Sequence, residues 1–546
     1  MTGADAIIKC LEAEGVTTVF GYPGVAIAPF YNSILDSVIS TVLVRTEQNA
    51  AHAASGVSRI TGRPGVCAVT SGPGATNVIT GIATAFADSI PLICITGQVN
   101  SELLGSDVFQ EADITGAVES FVKYSYLVKD AAEIPRIFKE AFYIANSGRK
   151  GPVLIDVPID IQNASVTKFK YPEEVSLRTY KPTVKGHAVQ IKKVIGELKK
   201  AKRPLICAGG GVLLSEAEGE LRAFAARHRI PVVSTMMGIG VMPTDHPLYF
   251  RMVGNNGKAY ANRAISESDL LIMVGARVAD RAVNQPDLIT KDKVLVHMDV
   301  DPAEIGKNAG PTIPLVGDAK HIFGDLEKEM ENQFSKEDFI CGSEEWLETL
   351  NTYRRELKRR RSPNPAYVDP AEFIERLTDR MEEDSVYVAD VGQNQIWSCG
   401  YAKVKERGKF LTTGGMGTMG YSIPAAMGAK IAAPGRQVVA VCGDGSFQMS
   451  MMELATMRQH DIPVKLVVLK NNYLGMVRQY QHFTYKDNYS VVDLSGSPDL
   501  EKLASAYDLP FLRLENMDRC DEVLDTFLKE DASVLLECLI DPMDLV

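Results

Sequence analysis

Short apolar runs rich in β-branched residues alternate with longer amphipathic stretches along the whole chain. Between residues 4 and 165 the runs are TTVFGY, STVLVR, GVCAVT, PLICIT and GPVLIDV. Each has strand length and is followed by helical spacing, which predicts parallel strands covered by helices. Residues 166–186 are polar and aperiodic and read as a linker. A second set follows: RPLICAGGGV, IPVVSTMMGIG, DLLIMVGAR and KVLVHMDVD. The stretch 333–364 is highly charged and reads as an exposed helical connection with a solvated face. From about residue 366 the first pattern returns in SVYVADVG, GRQVVAVCGDG, VKLVVLKNN and ASVLLECLID. The expectation is an α/β protein of three parallel-sheet domains, at residues 1–165, 187–335 and 366–546. The similar patterns of the first and third suggest two copies of one fold.

Composition agrees and excludes some partners. A chain of 546 residues is too long for one ordinary core. Its net charge of −11 argues against a sequence-independent grip on nucleic acid or anionic lipid. No apolar run approaches the ~18 residues that span a bilayer. The opening MTGADAIIKCLEAEG has early acids and no basic region before an apolar one, so it does not read as a signal peptide. Nine cysteines lie scattered without a CxxC pair, which suggests reduced, mostly core thiols and a cytoplasmic protein.

The stretch VCGDGSF brings in chemistry. The run QVVAVC stops at a glycine, followed by Asp444, Gly445 and Ser446. A helix is expected from roughly Met449 to His460. The next strand ends at Asn471, 27 residues after Asp444. One strand–helix–strand unit covers that distance, so adjacent parallel strands deliver both side chains to one sheet edge. Glycines let backbone N–H groups approach a phosphate, and a following helix offers its positive end. Carboxylate and amide oxygens suit Mg²⁺. The stretch therefore reads as a Mg²⁺–diphosphate anchor. A lone GDG is more often a turn with an Asp cap; its spacing to Asn471 makes the reading specific.

GDGSFQMSMMELATMRQHDIPVKLVVLKNN resembles the thiamine-diphosphate binding motif, and VRTEQNAAHAASGVSRITGRPGVCAVTSGPGATN resembles the pyrimidine-binding domain of the same enzymes. GYPG, DSIPLICITGQV, FQEAD, GGMGTMGYSIPAAMGA and LGMVRQ are together similar to the catalytic subunit of acetohydroxyacid (acetolactate) synthase. The resemblance covers nearly the whole chain. It implies thiamine diphosphate chemistry, in which the cofactor attacks a 2-oxo acid and accepts electrons as CO₂ leaves. By the resemblance, Glu47 is the carboxylate that activates the aminopyrimidine; standing alone, it would read as a helix-start acid complementing the dipole. Gly417 would accept from the aminopyrimidine amine and Met419 would support the bent cofactor, although a methionine is also ordinary core filler. Gly392, Gln393, Asn394, Gly445 and Ser446 would lie at the diphosphate. Asp444, Asn471 and the Tyr473 carbonyl would hold Mg²⁺. Phe109 and Gln110 would face the substrate. Gly209, Gly210, Gly211, Arg277, Asp299 and Asp318 match segments that bind an FAD with no redox part in the reaction. Because Glu47 and the metal site lie in different domains, the family builds its sites between subunits. A homodimer or homotetramer is implied, and a regulatory small subunit is a further expectation.

Departures gather around the substrate mouth. Val25 stands where the family has glycine, Ile159 where it has lysine, and Tyr480 where it has tryptophan, with Met476 nearby. Asn255 and Asn256 alter an FAD-side segment, Asn394 replaces a histidine, and Lys470 replaces the residue before Asn471. The sequence ends at DPMDLV, short of the family's C-terminal tail. Three functions stay open. The first is decarboxylation of pyruvate and carboligation to a second 2-oxo acid, giving acetolactate-type acetohydroxyacids as in branched-chain amino-acid biosynthesis. The second is a paralogous carboligase or decarboxylase acting on another 2-oxo acid or acceptor. The third is a non-catalytic homologue, which would have no need of Glu47.

Overall fold

A computed structural model describes the chain except for residues 283–288, 311, 334–340, 358–361 and 363. Eighteen strands form three six-stranded parallel sheets among the described residues. The first holds β1 (Thr18–Tyr22), β2 (Ser40–Leu43), β3 (Gly65–Val69), β4 (Leu92–Gln98), β5 (Tyr124–Leu127) and β6 (Pro152–Pro158), ordered β2-β1-β3-β4-β6-β5. The second holds β7 (Pro204–Ala208), β8 (Val232–Ser234), β9 (Tyr249–Met252), β10 (Leu270–Val274), β11 (Val294–Asp299) and β12 (Ile313–Val316), ordered β12-β11-β10-β7-β8-β9. The third holds β13 (Val386–Ala389), β14 (Lys409–Leu411), β15 (Val438–Gly443), β16 (Lys465–Lys470), β17 (Phe511–Leu514) and β18 (Val534–Leu539), ordered β14-β13-β15-β16-β18-β17. The first and third sheets thus share one permutation, and the chain is a three-domain α/β protein. The second has the order of a dinucleotide-binding sheet, which reverses direction between β7 and β10.

The central strands are apolar on both sides because helices cover both faces. β3, β4 and β6 are buried along their whole length, as are β7, β10 and β13. One hydrophobic cluster crosses from the first sheet to the third, running from Phe20 and Leu92 through Ala50–Ala54 to Tyr421, Ala440 and Leu466. Its bridge is the helix pair Glu47–Thr61 and Ser422–Ala432. The two backbones touch. A Cβ at Gly56 would fall on the Ala425 carbonyl, and one at Gly428 on the Ala53 carbonyl.

Three expectations change. The linker at 166–186 has no regular structure, but Phe169, Tyr171, Leu177 and Tyr180 pack on the first domain, and Lys123 Nζ donates to Tyr180 Oη at 2.8 Å. Its scattered aromatics have no period, so pattern could not reveal their burial. Within 333–364, the helix Glu344–Glu356 is more than an exposed connection. Trp346 and Leu350 are buried against the middle sheet, and Trp346 Nε1 donates to the Pro204 carbonyl at 3.2 Å. The basic residues 358–361 lie outside the described residues, as do 334–340. The helix expected from Met449 instead begins at Asp444 and is followed by a second, Glu453–Gln459. The early start has a cause: Ser446 Oγ accepts from Gly443 N at 3.1 Å and caps the turn. All nine cysteines are buried and free. No described helix is long and apolar enough to cross a membrane.

Gly428→Ala is expected to lower unfolding free energy by about 1–3 kcal/mol through overpacking. Gly196 sits inside the helix Ala188–Leu198 with open space around it. Gly196→Ala is expected to stabilise by about 0.5–1 kcal/mol. Urea denaturation of the two variants should move in opposite directions; a harmless Gly428→Ala would disprove the close-packed junction.

Candidate active site

The third sheet reverses its connection direction between β13 and β15, and the turns after those strands carry the expected diphosphate residues. After β15, Asp444 is the first residue of its helix and is almost fully buried. Its carboxylate accepts from Gly445 N at 3.1 Å and Asn472 N at 2.6 Å. Burial pushes its pKa up to about 6, with those N–H donors and the Lys470 charge opposing the rise. Lys470 Nζ pairs with the buried Glu537 carboxylate at 2.8 Å, and Arg513 Nε pairs with it at 2.5 Å. After β16, Asn471 Oδ1 accepts from Tyr473 N at 3.0 Å, and its Nδ2 donates to Gln393 Oε1 at 3.3 Å. The backbone is strained beside it, with φ of 59° at Asn472.

The turn after β13 completes this corner. Gln393 Nε2 donates to the Asp544 carbonyl and to Gln479 Oε1. Asn394 Nδ2 ties the two strand ends, donating to the carbonyls of Asp390 and Val441 at 2.9 and 3.3 Å. Its Oδ1 lies near Gly392 and Gly443. Met419 Cε approaches Gly445. Sequence reading did not single out Asp390, which is fully buried and fixes this loop by accepting from Gly420 N at 2.9 Å and Ser422 N at 2.7 Å. An Asp closing a strand in VADVG is the signal that could have found it.

The first sheet presents its own edge. Glu47 begins its helix and accepts from Asn77 Nδ2 at 3.0 Å through Oε2. Gly74 lies against Oε1. Nearby Thr70 Oγ1 and Ser71 Oγ are buried with no hydrogen-bond partner among the described residues. Gln110, with φ of 61°, packs on Gly72. Its loop is held from below by Asp156, another group the sequence did not flag. Asp156 accepts from Thr96 Oγ1 at 2.6 Å and Gln98 Nε2 at 3.0 Å, and Gln98 also donates to the Ala112 carbonyl at 2.8 Å. Burial pushes the Asp156 carboxyl up to about 7.

The two half-sites share no hydrogen bond among the described residues. Glu47 hydrogen-bonds only inside the first domain, and Asp444 and Asn471 only inside the third, among the described residues. The expected substrate residues lie open: Val25 is 78% exposed, Phe109 87% and Tyr480 59%. Ile159 is half-buried at a helix start, and Met476 lines the cavity next to the third domain.

That cavity, ≈ 800 Å³, sits at the switch point of the middle sheet. Gly210, Gly211, Arg277, Asp299 and Asp318 line it, with Arg149 from the first domain and Gly414–Gly417 from the third. Gly209 and Gly211 close on Gly275, where φ is 54°, so backbone alone approaches the cavity floor. Arg277 Nη2 donates to the Ala87 carbonyl at 2.9 Å. Asp299 accepts from Asp301 N, and burial pushes its pKa up to about 6. Asp318 caps the next helix through Lys320 N at 3.0 Å. Carboxylates at the strand ends suit sugar hydroxyls and the arginines suit phosphates, so the lining fits a dinucleotide. In the third domain, the donor set of Asp444, Asn471 and backbone oxygen fits a hard dication that leaves positions for phosphate oxygens. No cluster of three or more His, Cys, Asp or Glu offers another metal site among the described residues.

Comparison with known proteins agrees with this geometry. Residues 1–117 match the N-terminal TPP binding domain of thiamine pyrophosphate enzymes, 191–326 the central domain and 390–538 the C-terminal TPP binding domain. The chain is 44% identical to a probable acetolactate synthase large subunit of Methanocaldococcus jannaschii, covering 100% of this chain and 93% of that protein. It is 42% identical to an acetolactate synthase of Mycobacterium bovis, over 98% of this chain and 89% of that one. It is 40% identical to an acetolactate synthase large subunit of Corynebacterium glutamicum, over 99% and 87%. With three matching domains and this identity over its full length, the chain belongs to the thiamine pyrophosphate enzymes, among the acetolactate synthase large subunits.

Proposed function

We propose that the chain decarboxylates pyruvate and joins the two-carbon product to a second 2-oxo acid, giving an acetolactate-type acetohydroxyacid. The observation that carries this reading is the pair of edge sites. Glu47 stands at the carboxyl edge of the first sheet, and Asp444 with Asn471 at the matching edge of a third sheet of the same strand order. Thiamine diphosphate supplies a nucleophilic carbon and an electron sink when bound. Asp444 and Asn471, with the Tyr473 carbonyl, hold Mg²⁺ on the diphosphate. Gly392, Gln393, Gly445 and Ser446 line that end. Gly417 and Met419 orient the ring portion. Glu47 would hold a proton at the aminopyrimidine, and Asn77 fixes its carboxylate through Oε2. The unpartnered hydroxyls of Thr70 and Ser71 stand ready for polar contacts beside it.

No hydrogen bond joins Glu47 to Asp444 or Asn471 among the described residues, and Val25, Phe109 and Tyr480 are open at the edges. A second copy that brings its first domain onto the third domain of its partner would cover them. This supports a homodimer or larger homo-oligomer with shared sites. FAD in the central cavity is the reading supported by the dinucleotide strand order and by the cations and carboxylates around it. The large-subunit names of the relatives support a regulatory small subunit as a partner.

Glu47→Gln should keep the fold and cofactor affinity while lowering turnover by about 10²–10⁴-fold. Near-normal CO₂ release from pyruvate in that variant would refute the role of Glu47. Asp444→Ala should weaken Mg²⁺ and thiamine diphosphate together in isothermal titration, since the two share one anchor. Unchanged affinity for both would leave Asp444 as a helix-start residue. Methyl and ethyl groups are told apart by only about 1–3 kcal/mol in an apolar pocket. With Tyr480 in place of an indole and Val25 on the donor side, competition between pyruvate and 2-oxobutanoate should give a product ratio with little preference. Tyr480→Trp should raise the share of the larger product. A strong wild-type preference would contradict the pocket, and activity on another 2-oxo acid alone would favour the paralogous carboligase.

A further inference from the structure

The corner Ala87–Ser89, where the helix Ile79–Ala87 ends, touches all three domains. The Ala87 carbonyl accepts from Arg277 of the middle domain at 2.9 Å. Ser89 Oγ accepts from Arg149 Nε at 3.1 Å, and Arg149 continues to Asp301 and Glu304 of the middle domain at 3.2 and 3.3 Å. Asp88 faces the third domain. Its Oδ1 accepts from Gly415 N at 2.8 Å and Gly414 N at 3.3 Å, while Oδ2 pairs with Arg59 Nη2 at 3.1 Å. The Asp88 side chain is only 1% exposed. Four residues earlier, the Thr84 hydroxyl meets the Thr418 hydroxyl at 2.6 Å.

The loop held in this way has two faces. Gly414, Gly415, Met416 and Gly417 line the central cavity. Met419, two residues on, lies against Gly445 in the metal turn. Asp390 anchors the far end of the loop through Gly420 N and Ser422 N. Between the anchors, Gly417 has φ of 70°, a conformation that costs little for glycine. A ligand filling the cavity therefore presses on the same six-residue loop that orients the thiamine cofactor.

We infer that Asp88 is a positioning residue that fixes the Gly414–Met419 loop and so couples occupancy of the central cavity to binding of thiamine diphosphate. The inference rests on the FAD reading of that cavity. Buried Asp88 presents a fixed charge to two adjacent backbone N–H groups, and charge-assisted bonds of this kind are stronger than neutral ones. Pinned at both ends, the loop moves as one piece, so a shift made by either ligand reaches the site of the other. Such coupling is reciprocal.

The test titrates FAD into the full-length chain by flavin fluorescence, with and without saturating thiamine diphosphate and Mg²⁺. In the wild type, the cofactor should tighten FAD binding by about fivefold or more. Asp88→Ala should bring the ratio of the two affinities to about one, while Asp88→Asn, which keeps an acceptor for Gly415 N, should retain part of it. A purely structural role would weaken both titrations alike and leave the ratio unchanged, which would overturn the proposal. If Asp88→Ala fails to fold, Thr418→Val removes the second latch, and a wild-type ratio in that variant is equally fatal. Wild-type protein that binds thiamine diphosphate but no FAD at all would instead refute the cavity reading, and the proposal with it.

Discussion

The direct backbone contact between the helices Glu47–Thr61 and Ser422–Ala432 is the constraint on which the rest depends. Gly56 and Gly428 let each helix rest on the carbonyls of the other, at Ala425 and Ala53. Ala50, Ala51 and Ala54 add little bulk on the same helix, and the two sheets share one hydrophobic cluster across it. Any added side chain would push the first and third domains apart. Both ends of this helix pair lead into chemistry. Glu47 opens one helix, and the loop carrying Gly417 and Met419 opens the other. The buried Glu453 carboxylate locks the same junction, accepting from Arg45 N at 2.9 Å and Asn49 Nδ2 at 2.8 Å. The position of Glu47 is thus set by the domain interface as well as by its own strand.

Buried carboxylates do the positioning throughout. Asp88, Asp156, Asp390, Asp444 and Glu453 are all buried, and each is surrounded by hydrogen-bond donors. An unpaired charge at such depth would be prohibitive, so each fixes the geometry of the groups that satisfy it. Asp390 and Asp88 hold the two ends of one loop, and Asp156 supports the loop of Phe109 and Gln110 through Gln98. Asp444, the expected metal ligand, is held in the same way. Its two donors are backbone N–H groups of the flanking turns, and its burial is offset in part by Lys470. Lys470, just before Asn471, is paired with the buried Glu537, which also pairs with Arg513.

The positions expected at the substrate obey a different rule. Val25, Phe109 and Tyr480 are exposed, and Tyr480 meets Tyr485 edge-on at 5.9 Å. Substitution at such places changes the shape of a mouth and leaves the core as it was. Val25 and Tyr480 are exposed in this way, whereas Asp444 and Asn471 are buried and Glu47 is held by Asn77.

Sequence alone determined the sheets and the chemistry they carry. Apolar runs of strand length mark β3, β4, β10 and β15 because both faces are buried, and in β4 and β15 a glycine followed by a polar residue marks the edge where the run stops. The 27-residue step from Asp444 to Asn471 places both on adjacent strands, and β15 does pair with β16 in parallel. Local pattern could not reveal what depends on distant partners. The aromatics of 166–186 and Trp346 look like linker residues until the surfaces they cover are known. Asp88 and Asp390 read as ordinary turn acids, because their donors lie 327 and 30 residues away in sequence. The similar patterns of the first and third domains suggested one fold, but the strand order they share and the dinucleotide order of the second sheet were visible only in the tertiary structure. Strand order and domain docking are set by packing between faces, and each face records only that it is apolar.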